Sequence, residues 1–264
     1  MPDSPERPTG PSLTRPRVVS RRDWGADESL RFTASGDEIW RRDTDPVGGL
    51  VLHHTKTPNV EEDPAARLHG VYAFHAVDRG WGDIGYHLLV DERGVVYEGR
   101  AGSALVLDGG PVVIAGHVYG HNHGNIGIAM LGTLFEKPPS PRAWAALVGL
   151  VAWLVSVHHL DPTATRGVDG ARSTTIRAHR DLRDTTCPGD AFYALLPALR
   201  TEVARRTGSA WRGAGIDPPD PPTAPMVPTM GPIHRDIPAH PRRHPHVPQK
   251  DPPASLMGPG PRQR

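Results

Sequence analysis

Apolar residues recur at three- and four-residue spacing in three stretches of the chain, which is the period of an amphipathic α-helix. The first stretch runs from 63 to 79. The second, apolar on most sides, runs from about 140 to 159 and begins near Ser140, a residue suited to cap a helix N-terminus. The third covers 190–206 and contains Pro197, which should start a turn or kink the helix.

Short apolar runs bounded by glycine or turn residues predict strands among these helices. One run, 47–55, follows a glycine pair and ends in two histidines. Two more occupy 125–132 and 174–178, and the stretch 81–100 has the pattern of a β-hairpin. Interspersed strands and helices predict an α/β fold class: a single domain with a mixed central β-sheet flanked by helices.

Composition divides the chain into three parts. The 30 prolines and 29 glycines crowd the two ends, and only 37% of all residues are hydrophobic. Such ends cannot bury enough apolar surface to fold. The sequence therefore predicts a disordered leader over 1–17, a folded domain over 18–208 and a disordered tail rich in Pro, His and Arg over 209–264.

The net charge and the length of the apolar runs indicate which partners and which cellular location are expected. The formal net charge is +1, so nothing favours a nucleic-acid partner. The longest apolar run, 143–157, is shorter than the roughly 20 residues that span a bilayer, so no membrane span is expected. Residues 1–17 contain no apolar core of a secretory signal, which leaves the localisation unknown.

The chain contains one cysteine, Cys187, and a histidine, His179, lies eight residues before it. A single thiol cannot form an internal disulfide, whereas a thiolate beside an imidazole is a favourable zinc pair. An inert buried cysteine is an equally good interpretation of these two residues alone. At the end of the strand 47–55, side chains alternate between faces, so only one of His53 and His54 can point into a shared site.

A second histidine group follows in a loop and consists of His117, His121 and His123. No carboxylate or thiolate completes this set, so a separate zinc site is the weaker interpretation and a loop that contacts a ligand is the preferred one. The histidines of the tail are interpreted as solvated, because nothing there would fix the geometry of a metal site.

Five motifs, in order along the chain, carry a resemblance to a known family. They are RRDWGA (21–26), LVLHHT (50–55), GWGDIGYHLLVDERGVVYEGRAG (80–102), GHVYGHNHGNIGIAMLG (116–132) and AHRDLRDTTCPG (178–189). The chain resembles the zinc-dependent N-acetylmuramoyl-L-alanine amidases, which include peptidoglycan recognition proteins and phage T7-type lysozymes. The resemblance covers about 18–206 and implies a zinc groove on one side of the sheet.

The resemblance implies that His53, His179 and Cys187 are zinc ligands and that His54 points away into packing. Three protein ligands leave a fourth position open for water, which is the arrangement of catalytic rather than structural zinc. The expected cofactor is therefore Zn²⁺.

Further residues take roles only from the resemblance. Tyr86 falls where family members carry a tyrosine that could bind the developing oxyanion, and it is the candidate for proton transfer. Thr185 falls where recognition proteins carry threonine and phage members lysine. His117 and Asn122 fall on the substrate-loop motif and are expected to contact the groove ligand. Ala129 stands where another branch carries a proposed catalytic glutamate, so that role is vacant here.

The implied activity is hydrolysis of the amide between N-acetylmuramic acid and L-alanine, with peptidoglycan or muropeptides as partners and a monomeric protein. Two alternatives stay open. Some members of the family bind peptidoglycan without cutting it, and these typically lack the cysteine ligand. The chain could also be an interaction protein that binds partners through its Pro-rich tail, with the folded domain as a scaffold.

Overall fold

A six-stranded mixed β-sheet forms the centre of the protein in a computed structural model, which describes residues 13–59, 63–168 and 171–208. The sheet has the strand order β1-β5-β4-β7-β3-β10. Two short antiparallel pairs, β2 with β6 and β8 with β9, lie outside it. The strands are β1 (Val18–Val19), β2 (Thr44–Asp45), β3 (Gly49–His54), β4 (Leu88–Val90), β5 (Val96–Glu98), β6 (Val112–Val113), β7 (Asn125–Met130), β8 (Thr165–Val168), β9 (Ala171–Thr174) and β10 (Ile176–Ala178).

Both pairing directions occur in the central sheet, which confirms the predicted mixed sheet. Strand β3 pairs in parallel with β7 on one side and with β10 on the other. Strands β4 and β5 form the predicted antiparallel hairpin, and β4 joins β7 in parallel. The two longest strands, β3 and β7, therefore lie side by side in the interior of the sheet, where every one of their residues is buried.

Helices cover the sheet on both faces. They are α1 (Pro64–Ala73), which continues as a π-helical turn over Phe74–Asp78, α2 (Pro141–Val157), α3 (Asp190–Tyr193) and α4 (Leu196–Thr207), with 3-10 turns at Glu28–Arg31, Ser103–Asp108 and His179–Asp181. Ser140 caps α2 as predicted, because its side chain accepts a hydrogen bond from the Ala143 N–H. The single helix predicted over 190–206 is wrong: two helices occupy it, and Pro197 lies in the first turn of the second.

Side-chain alternation along the strands divides the core into two layers. Leu50 and Leu52 of β3 and Ile128 of β7 pack with α2 and α4 on one face. Leu89 and Ala129 of the neighbouring strands belong to a second cluster with α1 on the other face. Because adjacent strand residues point to opposite sides, Val51 and His53, which alternate with Leu50 and Leu52 along β3, face this second side. That side also carries the chemistry.

The segment between the predicted hairpin, which ends at 100, and the predicted strand that begins at 125 contains regular structure. It includes a 3-10 turn over Ser103–Asp108 and strand β6. Residues 13–17, part of the predicted disordered leader, contact the folded domain: Leu13 packs against the core and Arg15 pairs with Asp108 at 2.9 Å. The predicted tail, 209–264, and residues 1–12 of the leader lie outside the described residues. Within the described part of the chain, no helix has the length and apolar character needed to cross a bilayer.

Candidate metal centre

Three side chains predicted as metal ligands meet at one end of β3 and β10. One donor atom from each of His53, His179 and Cys187 lies within 4.8 Å of the others. The Cys187 Sγ is 3.7 Å from the His53 Nδ1, and the two imidazole ring centres are 4.8 Å apart. This is the one group of three or more potential metal-ligating side chains among the described residues.

Strand geometry selects the first histidine of the pair. His53 is fully buried on the face of the sheet opposite α2 and α4. His54 points to the other face, where its Nδ1 accepts a hydrogen bond from the Leu134 N–H at 3.1 Å and its ring packs edge-on against Phe135. Only His53 can therefore reach the cluster, as the alternation of side chains predicts.

The loop from His179 to Cys187 is closed by Arg180. The Arg180 backbone N–H donates to the Cys187 carbonyl at 3.1 Å, and its side-chain Nε donates to the same oxygen at 3.3 Å. A guanidinium nitrogen also pairs with Asp190 at 2.6 Å. These bonds hold the thiol opposite the imidazole of His179, although eight residues separate the two in sequence.

The chain requires a glycine two residues after Cys187. Gly189 has φ +93°, a backbone conformation that residues with a Cβ rarely adopt. A Cβ at this position would also collide with the carbonyl of Leu134. The close approach fixes the path of the chain from Cys187 into α3.

Burial keeps the three groups uncharged in the protein alone. It is the largest cause that lowers the pKa of His53 well below its ordinary value, and neighbouring imidazoles lower it further. Burial and the nearby Arg183 also lower the pKa of His179, and burial raises the pKa of the Cys187 thiol to about 11. The imidazoles thus offer neutral lone pairs to a cation, whereas the thiol must release its proton when a metal binds.

The donor set fits Zn²⁺. Two imidazole nitrogens and one sulfur are the borderline-soft ligands that zinc prefers, and three of them leave one position for a reactant. The fit rests on the convergence of these three donors within 4.8 Å at the end of a buried strand.

Tyr86 and Thr185 lie beside this cluster. The half-buried ring of Tyr86 is centred 5.3 Å from the ring of His53. Burial and the adjacent Cys187 raise the pKa of its phenol, so the hydroxyl stays protonated and can donate a hydrogen bond. The Thr185 hydroxyl accepts a hydrogen bond from the Cys187 N–H at 3.3 Å, which holds it beside the backbone of this predicted ligand.

The two predicted substrate contacts are held within the protein. His117 is 6% exposed, and its ring nitrogens lie 3.0 Å from the His53 Nε2 and 3.2 Å from the Asn125 carbonyl oxygen. The Asn122 side-chain oxygen accepts from the backbone N–H groups of His117 and Val118, at 3.0 and 2.8 Å. Asn122 therefore shapes the loop that presents His117 to His53.

The other loop histidines do not join a metal cluster among the described residues. His123 instead forms an exposed pair with Asp45 at 2.7 Å. On β7, Ala129 pairs with His53 in the parallel register. This is the position at which another branch of the family is expected to carry a catalytic glutamate. The methyl group packs in the α1 layer of the core.

Three supporting residues escaped the prediction from sequence. They are Arg180, His87 and Asn125. Their contacts are made to backbone carbonyls or to residues far away in the chain, so the spacing of motifs in the sequence does not indicate them. His87 donates to the Val113 carbonyl at 2.6 Å and accepts from the Gly127 N–H at 2.8 Å, which places it behind His117.

Comparison with known proteins agrees with this architecture. Peptidoglycan recognition protein 1 of Bos indicus is 30% identical over 182 residues, which cover 68% of this chain and 82% of that protein. The N-acetylmuramoyl-L-alanine amidase of Homo sapiens is 32% identical over 156 residues, 57% of this chain but 24% of that longer protein. A solved structure of a Drosophila PGRP-LB mutant in complex with tracheal cytotoxin is 27% identical, with a TM-score of 0.53, covering 69% of this chain and 94% of that one.

A family model described as N-acetylmuramoyl-L-alanine amidase matches residues 43–190. The match includes β3, β7 and β10 together with the loop that carries Cys187, so it contains every residue of the candidate metal cluster. The chain belongs to the N-acetylmuramoyl-L-alanine amidase family.

Proposed function

We propose that this protein hydrolyses the amide bond between N-acetylmuramic acid and L-alanine in peptidoglycan, with Zn²⁺ held by His53, His179 and Cys187. The observation that carries the proposal is the convergence of two imidazoles and the only thiol of the chain within 4.8 Å. A structural zinc site would be closed by a fourth protein ligand, and a three-ligand set is the catalytic form.

When bound, Zn²⁺ supplies a Lewis acid that polarises a carbonyl and makes water acidic enough to react near neutral pH. The protein supplies the orientation. Strand β3 fixes His53 through a six-residue parallel pairing with β7, and the Arg180 bonds fix Cys187. Rigid placement of donors on strands and closed loops is what a precise catalytic geometry needs.

Tyr86 is proposed to stabilise negative charge on the carbonyl oxygen. Its ring lies against His53, and its raised pKa keeps the phenol protonated at neutral pH. A protonated donor aimed at an oxygen that gains charge during the reaction lowers the barrier more than it strengthens substrate binding. The same hydroxyl is the proposed route for proton transfer, since Ala129 offers no side-chain base.

Thr185 is proposed to assist through its hydroxyl. Because its oxygen accepts from the Cys187 N–H, the hydroxyl proton is available to a group in the site. Asn122 stays a predicted groove contact within the substrate loop, whereas both ring nitrogens of His117, the other predicted contact, face protein atoms. A monomer stays the predicted state. The proposed partner is peptidoglycan or its muropeptides, which accords with the tracheal cytotoxin bound to the structural relative.

A peptidoglycan-binding module without activity is the second candidate. The convergence of Cys187 with the two histidines favours the enzyme, because a binder has no need for a third ligand with a proton to lose. An interaction protein acting through 209–264 is the third candidate. Deletion of that segment separates it from the enzyme, because the proposed hydrolysis depends only on residues of the folded domain.

The test combines zinc content with mass spectrometry of peptidoglycan digests. Wild-type protein should carry about one zinc and release peptides that begin with a free L-alanine amine. Cys187→Ser should lose both properties, because an alcohol is a far weaker zinc ligand than a thiolate. Thr186→Ala is the matched control, since it changes an exposed neighbour that is not a proposed ligand. Full hydrolysis by Cys187→Ser would contradict the proposal.

A further inference from the structure

The ring of His117 connects the metal cluster to the backbone of the neighbouring strand. Its Nδ1 lies 3.0 Å from the His53 Nε2, and its Nε2 lies 3.2 Å from the Asn125 carbonyl oxygen. Both rings are buried, with His53 at 0% and His117 at 6% exposure. The three groups form a continuous hydrogen-bonded chain that ends at the metal-facing side of His53.

The direction of every bond in this chain follows from its fixed end. A carbonyl oxygen only accepts, so the His117 Nε2 must carry the proton that is donated to Asn125. A neutral imidazole has a single N–H, so the His117 Nδ1 is an acceptor and the His53 Nε2 is its donor. The His53 Nδ1 is then left with a lone pair, and this is the nitrogen 3.7 Å from the Cys187 Sγ.

We propose that His117 is a positioning residue that fixes the tautomer and ring orientation of His53, so that His53 presents its Nδ1 to the metal. The inference rests on the proposed zinc site. Metal-bound histidines generally donate their second ring nitrogen to a fixed acceptor, which raises ligand basicity and lowers the entropy lost on binding. Here that acceptor is a second imidazole.

Packing holds His117 in this position. An ideal Cβ on Gly127 of β7 would lie 2.5 Å from the His117 ring, so the ring occupies space that only glycine leaves open. The ring meets His53 edge-on with centres 5.0 Å apart, and it meets His87 from the other side at 5.4 Å. The imidazole therefore has little freedom to turn toward the groove.

Hydrogen bonds hold the loop as well. The Asn125 side-chain amide donates to the carbonyls of His121 and His123 at 2.8 and 3.1 Å. Arg177 of β10 donates to the oxygen of the same amide. The side chain of Asn125 thus ties the loop to two strands, while its backbone carbonyl orients His117.

A role of His117 in substrate binding can be distinguished from a role in positioning His53. Both of its ring nitrogens already face protein atoms, so a bound peptide would have to displace His53 or Asn125 to reach them. Loss of a substrate contact would raise KM and leave zinc affinity unchanged. Loss of a positioning contact would weaken zinc binding and leave KM unchanged once zinc is saturating.

The experiment compares zinc dissociation constants of full-length wild type and two variants by competition with a chelator. His117→Phe keeps the ring volume but removes the acceptor, and it should weaken zinc about 10- to 100-fold. His117→Asn places an amide oxygen near the position of Nδ1 and should restore most of the affinity. His158→Phe is the matched control, because the half-buried His158 also donates to a backbone carbonyl, that of Val106, but lies at the end of α2 and outside the histidine cluster.

Equal zinc affinity of wild type and His117→Phe overturns the inference. A wild type that binds no zinc contradicts the proposed function instead, so the two failures are distinguishable. Should His117→Phe fail to fold, ¹⁵N NMR of the wild-type imidazoles decides the question. The expected spectrum has His53 protonated at Nε2 and His117 protonated at Nε2, and a His117 protonated at Nδ1 overturns the proposal.

Discussion

Replacement of His87 by glutamine should make the protein less sensitive to acid. His87, the residue before β4, is fully buried; its Nε2–H donates to the Val113 carbonyl and its Nδ1 accepts from the Gly127 N–H. A second proton, on Nδ1, would replace the acceptor of the Gly127 N–H by a donor, so the two N–H groups would repel each other. Burial, aided by the charge of Arg100, lowers the pKa of His87 to about 4 against an ordinary value of 6.5.

The sign of the effect follows from the proton balance. Between pH 6.5 and 4 the unfolded chain binds a proton at His87 that the folded protein does not, so the free energy of unfolding falls as the pH falls. The gap of about 2.5 pH units corresponds to about 3 kcal/mol, since one pH unit is worth about 1.4 kcal/mol. Below pH 4 this residue contributes no further loss.

The assay is urea unfolding of wild type and His87→Gln, followed by tryptophan fluorescence in EDTA at pH 7.5 and 4.5. Glutamine can still donate to the Val113 carbonyl, but it fits the site less well, so the variant is the less stable protein at pH 7.5. By pH 4.5 its deficit should shrink by about 2 to 3 kcal/mol. His121→Gln, in a partly exposed loop position, is the control. A deficit that stays the same at both pH values refutes the reasoning.

Three further outcomes are expected. Tyr86→Phe should lower kcat about 10²- to 10³-fold with unchanged zinc content, measured by muropeptide release, because it removes one donor to the oxyanion. Gly127→Ala should lower the free energy of unfolding by about 1–3 kcal/mol in urea titrations, since its Cβ would lie 2.5 Å from the His117 ring. Arg100→Met should lower it by about 1–3 kcal/mol, because the Ile114 carbonyl loses its guanidinium donor while Asp83 keeps Arg21 as a partner.

Much of the architecture could be predicted from periodicity. The apolar run that ends in His53 and His54 predicted a buried strand, and strand alternation required that only one of the two histidines face the site. Ser140 marked the start of α2, because a capping side chain acts within three residues of its own position. These signals are local, so one sequence suffices to detect them.

Long-range organisation could not be predicted in the same way. The order of the six strands depends on which apolar edges pair, and the composition of β3 is equally compatible with neighbours other than β7 and β10. The division of the last helix into α3 and α4 was missed because Pro197 is compatible with both a kink and a helix start.

The site shows the same limit. Family motifs brought His53, His179 and Cys187 into one hypothesis, and the structure places the three donors together. The inward hydrogen bonds of His117 could not be inferred, because they depend on the empty space above Gly127 and on a backbone carbonyl. A glycine in a strand pattern signals close approach of some group, but not which group approaches.

The separation of the core from the site explains why one fold can serve both binding and hydrolysis. The proposed ligands meet on the side of the sheet to which His53 of β3 points, opposite α2 and α4, whereas Leu50 and Leu52 bury the other face. Without a metal the cluster contains neutral imidazoles and a protonated thiol, so no uncompensated charge is buried there. Substitution of Cys187 would therefore remove a proposed zinc ligand without removing a support of the core. The groove would persist as a binding surface, and the difference between recognition and hydrolysis would depend on a single sulfur atom.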